Sequence, residues 1–170
     1  MIRIIPLLFI SITSFAQVLS WSPLYPNISD TITITYNSSL GNGSLNNTQD
    51  IFIHTGVLNK YSSSHDDWMN IPVQWHEGPD SLIKMINLGD NTFQISFKIN
   101  SFFNISNDDQ NENLAMVFRN SDGSLAGKNE DDSNFYIPLF HQNDLVKFTL
   151  PFEFPILVQP GENLPIQVVS

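Results

Sequence analysis

The chain has 170 residues, with 7 basic and 17 acidic side chains giving a formal net charge of −10. Charged residues make up only 14 % of it, against about 25 % in an ordinary soluble domain, and the 41 % apolar share argues against disorder. So acidic a chain is ill suited to neutralise a run of phosphates, which argues against nucleic acid, and no nucleic-acid partner is expected. The absence of cysteine excludes disulfides, iron–sulfur clusters, thiolate zinc sites and thiol nucleophiles.

Residues 1–17 carry one basic side chain, Arg3, then the apolar run Ile4-Ile5-Pro6-Leu7-Leu8-Phe9-Ile10. A short positive start, an apolar stretch too brief to span a bilayer, and the small-x-small site Ser14-Phe15-Ala16 read as a secretory signal over residues 1–16. No later stretch approaches the roughly 20 apolar residues of a membrane helix. The expectation is therefore a secreted protein, extracellular or periplasmic, with no membrane partner and acting as a monomer.

From there the pattern alternates with period two. Thr31-Ile32-Thr33-Ile34-Thr35-Tyr36 is a strand with Ile32 and Ile34 on one face. In Asp50-Ile51-Phe52-Ile53-His54-Thr55, Ile51 and Ile53 point inward, with Phe52 and His54 on the opposite side. Ile71-Pro72-Val73-Gln74-Trp75 alternates again, as an edge strand because Pro72 cannot donate to a ladder. Residues 82–88 and 92–99 flank Gly89-Asp90-Asn91, a short hairpin signal. Residues 101–105 suit a single helical turn, and residues 114–118 and 134–137 complete the strands. Short strands with Asn-, Gly- and Ser-rich loops predict an all-β fold, an antiparallel immunoglobulin-like β-sandwich over residues 17–140. Three Pro-punctuated runs follow, at residues 145–150, 154–158 and 164–169. They either complete that sandwich or, the favoured reading, make residues 141–170 the start of a truncated second β-domain.

Candidate chemistry is sparse. His54, His65, His76 and His141 lack the close spacing of a zinc site. Asn107-Asp108-Asp109-Gln110-Asn111-Glu112 begins like a calcium loop, but Glu112 stands at the glycine position and Phe118 where the bidentate Glu belongs. Asn120-Ser121-Asp122-Gly123 and Asn129-Glu130-Asp131-Asp132 offer oxygens for at most a weak calcium site, so no cofactor is expected. No Gly-x-Ser-x-Gly elbow or phosphate loop occurs, and no motif sets two carboxylates across a pocket. Asn27, Asn37, Asn42, Asn46 and Asn104 begin Asn-x-Ser/Thr sites, of which an Asn- and Ser-rich chain makes several by chance.

The aromatic residues say more. Trp68 sits in the polar stretch Ser62-Ser63-Ser64-His65-Asp66-Asp67-Trp68-Met69-Asn70, beside Tyr61. Flat rings among amides and carboxylates suit a sugar, the rings covering a pyranose C–H face while polar groups take the hydroxyls. The bland alternative is that Trp68 plugs the end of the sandwich. Trp75 shares the face of Ile71 and Val73 and reads as core, and Trp21, before Pro23 and the first strand, reads as packing.

Asp50-Ile51-Phe52-Ile53-His54-Thr55-Gly56, then Asp67-Trp68, then Met116-Val117-Phe118-Arg119-Asn120-Ser121-Asp122-Gly123 resemble the starch-binding modules of carbohydrate-binding families 25 and 26. They resemble more closely the related sandwich at the N-terminus of secreted bacterial α-amylases. Leu19-Ser20-Trp21-Ser22-Pro23 and the run Gly127-Lys128-Asn129-Glu130-Asp131-Asp132-Ser133-Asn134-Phe135 fit the same module. The resemblance implies a non-catalytic binder of α-glucan or maltooligosaccharide, serving a downstream family-13 hydrolase domain of the same polypeptide. It puts the strand histidine on His54, the loop tryptophan on Trp68 and the late polar loop on Asn129, Asp131 and Asp132. Those families usually carry a further aromatic near the late loop, whereas Leu125-Ala126-Gly127-Lys128 has none, so a second ring would come from Tyr61 or Trp75. The alternatives are a spacer sandwich that binds no sugar, and an independent secreted carbohydrate-recognition or adhesion protein.

Overall fold

The computed structural model of the protein describes residues 17–106, 110–141, 147–150 and 167–169. The leader reading of residues 1–16, the start of the calcium-like loop at 107–109 and the run at 154–158 lie outside them. The fold is all-β. Strands β1 (Leu19–Ser22), β2 (Thr31–Asn37), β3 (Phe52–Asn59), β4 (Ile86–Gly89) and β5 (Thr92–Lys98) precede the one-turn helix α1 (Ile99–Phe103). Then come β6 (Asn111–Arg119), β7 (Ala126–Gly127), β8 (Phe135–Pro138), β9 (Lys147–Leu150) and β10 (Gln167–Val169). One antiparallel sheet has the order β1-β2-β5-β4; a second joins β3 to β6, with both β7 and β8 pairing β6. Strands β9 and β10 pair only with each other among the described residues.

The two four-stranded sheets share one core, because each strand turns its apolar set to the same side. Ile32, Ile34 and Tyr36 of β2 and Phe93, Ile95 and Phe97 of β5 meet Ile53, Leu114, Met116, Phe118 and Phe135 of the second sheet. Tyr36 stacks on Phe118 across the sheets at 3.9 Å between ring centroids. The first sheet alternates buried and accessible residues, as a sheet with one wet face should. Strands β3 and β6 do not: nearly every residue in them is buried. Something covers their outer face too, and that cover builds the candidate site.

Four local readings need correction or refinement. Residues 19–22, read as an approach to the first strand, are themselves a strand, pairing β2 from Leu19↔Tyr36 to Ser22↔Thr33 and placing Trp21 against the core. Residues 71–75 form no strand: Pro72 has no donor, and the segment lies over a sheet face instead of extending an edge. The run at 82–88 divides between the sheets. Ile83 and Met85 bond to Ile53 and Ile51 on the free edge of β3, after which the chain crosses to become β4. In the hairpin the left-handed positions include Asp90 (φ 49°) and Asn91 (φ 58°), the two-residue turn that suits strand twist.

Gly127 sets the closeness of this packing. A Cβ there would fall on the Tyr36 hydroxyl and within 2.7 Å of Leu45 Cδ1. That hydroxyl is buried without a hydrogen-bond partner, and burial pushes its pKa upward. Gly127→Ala should therefore destabilise the protein by about 1–3 kcal/mol in urea unfolding, the usual cost of overpacking. A Tyr36→Phe background, which removes the crowded oxygen, should shrink the loss; equal losses in both backgrounds would contradict this packing account.

Candidate functional site

Ile53 and Val57 of β3 face the core, so period-two alternation turns Phe52, His54 and Gly56 to the outer face. The register sets Phe52 opposite Arg119, His54 opposite Val117 and Gly56 opposite Ala115, with Ala126 of β7 beside Arg119. The segment between β3 and β4 folds back over this floor. Glycine at 56 lets it descend, since a Cβ there would lie 2.9 Å from both the Met69 carbonyl oxygen and Trp68 Cβ.

Specific bonds hold the cover in place. Val57 and Met69 exchange backbone hydrogen bonds, each of 2.8 Å, on the free edge of β3. The Trp68 indole N–H donates to the His65 carbonyl at 2.8 Å, and the same carbonyl accepts the Tyr136 hydroxyl of β8 at 3.3 Å. Asn134 donates to Asp66 at 2.9 Å. Asp67 accepts from both the backbone N–H and the hydroxyl of Ser63, and these bonds hold its carboxyl below the usual carboxylate range. Further along, the Gln74 N–H donates to the Glu77 carboxylate, and Arg119 donates to the Glu77 carbonyl at 3.0 Å.

Three rings thereby converge. His54 and Trp68 lie 5.6 Å apart at a tilt of 30°, and Trp75 stands at 89° to His54 at 5.1 Å. They line a cleft of about 440 Å³ whose floor includes Val117 and Ala126, with Asp66, Asp67, Lys128 and Asn134 around them. Burial pushes the His54 pKa down, the Val73 backbone opposes this, and the Arg119 charge adds to the lowering. Its Nδ1 is buried without a hydrogen-bond partner. The site thus presents a neutral imidazole and two indoles, bordered by hydrogen-bonding groups of both signs.

Of the residues singled out in the sequence, the structure brings His54 and Trp68 together. Trp75, expected in the core, is only half-buried and joins them, because the segment that carries it lies on the sheet's outer face. Trp68 likewise covers a sheet face and plugs no end. Tyr61 stands apart, 68 % exposed beneath the Lys60 ammonium. Asn129 and Asp131 border a separate groove with Val18, Leu40 and Gly41, because bonds from Asn129 to Ser133 and a left-handed Asp132 turn that loop away. Asp132 accepts a hydrogen bond from Asn42. Among the described residues, no three His, Asp or Glu side chains converge as a metal-ligand set. Sequence reasoning missed Arg119, whose signal was a cation ending the apolar run Leu114-Ala115-Met116-Val117-Phe118 in a strand buried on both faces.

The lowered His54 pKa has a sign to test. The folded state favours neutral imidazole, so the His54 contribution to stability is complete above the unfolded value of about 6.5 and declines as pH falls toward the folded pKa. An NMR titration should place the His54 midpoint below about 6.5, and His54→Gln should remove that part of the acid-side loss. A midpoint at or above the ordinary value would contradict the partly buried geometry of the ring.

No curated protein matches the chain. A family model described as a domain of unknown function, DUF8578, matches residues 20–126. The match runs from β1 to β7 and so includes His54, Trp68, Trp75 and Arg119, while Lys128 and Asn134 lie beyond it. The chain belongs to the DUF8578 family.

Proposed function

We propose that this chain is a non-catalytic carbohydrate-binding module that takes α-glucan or maltooligosaccharide in the cleft of His54, Trp68 and Trp75. The observation that carries the reading is the convergence of those three rings on one half-open cleft. Such rings offer apolar faces to pyranose C–H groups, while Asp66, Asp67, Lys128 and Asn134 can meet the hydroxyls. The larger groove near Asn129 is lined without an aromatic ring and offers no such platform.

Glycoside cleavage needs a general acid whose pKa is raised, whereas hydrogen bonds from Ser63 hold the cleft's Asp67 down, so Asp67 does not suit that role. Two or three rings should give millimolar to tens-of-micromolar affinity, about −4 to −6 kcal/mol. That is enough for a tethered module, whose attachment raises the effective concentration of an enzyme on a polymer. The α-glucan and a downstream amylase-type hydrolase domain follow from the sequence resemblance, export follows from the leader-like residues 1–16, and these complete the proposal.

Affinity electrophoresis in starch-containing gels, with an inert acidic protein as mobility control, tests it. The chain should be retarded, and free maltooligosaccharide should relieve the retardation. Trp68→Ala and Trp75→Ala should each weaken binding about tenfold or more, near 1.4 kcal/mol, while Tyr61→Ala should leave it unchanged. Mobility unaffected by starch would leave a spacer sandwich. Binding that survives both tryptophan changes would move the site elsewhere.

A further inference from the structure

We infer that Arg119 is a positioning residue of the cleft, tying together the two chain segments that flank Trp75 and so fixing the angle of that indole against His54. The side chain is 1 % exposed. One end of its fork, Nη2, donates to the Glu77 carbonyl at 3.0 Å. The other, Nη1, reaches the Ser121 and Asn120 carbonyls at 3.3 and 3.4 Å. Glu77 closes the turn that carries Trp75. Residues 120 and 121 open the turn that ends at Gly123, where a Cβ would lie 3.2 Å from Trp75 Nε1. The guanidinium itself lies 5.8 Å from the Trp75 ring and 5.7 Å from that of Phe52.

Among the described residues no carboxylate pairs with this cation, so its charge rests on carbonyl dipoles and two ring faces. Burying a charge on such terms is costly, and an apolar chain of the same length would fill the space without that cost. What the planar fork adds is geometry: donors in fixed directions that hold two loops at once. A lysine keeps the charge but has no fork.

The inference takes its ligand from the sugar-binding reading, and the test separates the two. In the full chain, with indole N–H cross-peaks assigned by single Trp→Phe changes, Arg119→Lys should shift the Trp75 peak and leave Trp21 in place. Maltoheptaose affinity should fall about fivefold, yet by less than about twofold on a Trp75→Ala background, because coupled residues are not additive. An unmoved Trp75 peak, or equal losses on both backgrounds, would overturn the role. If Arg119→Lys does not fold, Arg119→Met fills the stem volume without a charge to bury and is read in the same way. If the unsubstituted chain does not bind maltoheptaose, the sugar-binding reading falls, and the indole spectrum alone decides Arg119.

Discussion

The outer face of the β3–β6 sheet cannot be left to water, and most of the molecule's distinctive features follow from how it is covered. That face carries Phe52, Val117 and the aliphatic stem of Arg119, all buried, in a sheet whose inner face already packs on the core. An ordinary sandwich wets the outer face of each sheet. Here the long β3–β4 connection lies across it, and its backbone groups need partners of their own. Several find them on the free edge of β3, where Met69, Ile83 and Met85 bond at three separate points. Between Met69 and Ile83 the chain runs over the sheet and carries Trp75 to a position beside His54, while Trp68 is set there directly before the Met69 anchor.

Rigidity in the connection comes from short side-chain bonds. Ser63 with Asp67, His65 with Trp68, and Gln74 with Glu77 each close a turn locally, so the rings are held before any ligand arrives. A site ordered in advance loses less entropy on binding, which matters when only a few rings contribute. The electrostatics point the same way. The chain is strongly acidic, His54 is held neutral, and Arg119 is buried behind the rings, which suits a neutral, hydroxyl-rich ligand better than an anionic one.

Much of the fold was legible because half-buried strands advertise themselves. Thr31-Ile32-Thr33-Ile34-Thr35 alternates cleanly, and the hairpin at Gly89-Asp90-Asn91 carries its own turn chemistry. Where legibility failed, two surfaces competed for one residue. Trp75 shares the alternation of Ile71 and Val73, and alternation cannot say whether that face meets the core or a cleft on the far side of a sheet. The split of residues 82–88 between two sheets leaves no periodic trace, since Ile83 and Met85 are buried by one partner strand and β4 is held by another. Tyr61 and Trp68, seven residues apart in one polar loop, looked alike in sequence. Gly56 separates them physically, by admitting the Trp68 backbone against the sheet while Tyr61 stays out in solvent.

The most direct measurement is a two-dimensional NMR titration of the full chain with maltoheptaose, mapping which residues sense the sugar. The account predicts shifts concentrated at the Trp68 and Trp75 indoles, the His54 ring, and the Lys128 and Asn134 amides, with little change along Asn129 to Asp131. Shifts centred on the Asn129 groove, or a spectrum unaltered by sugar, would contradict it.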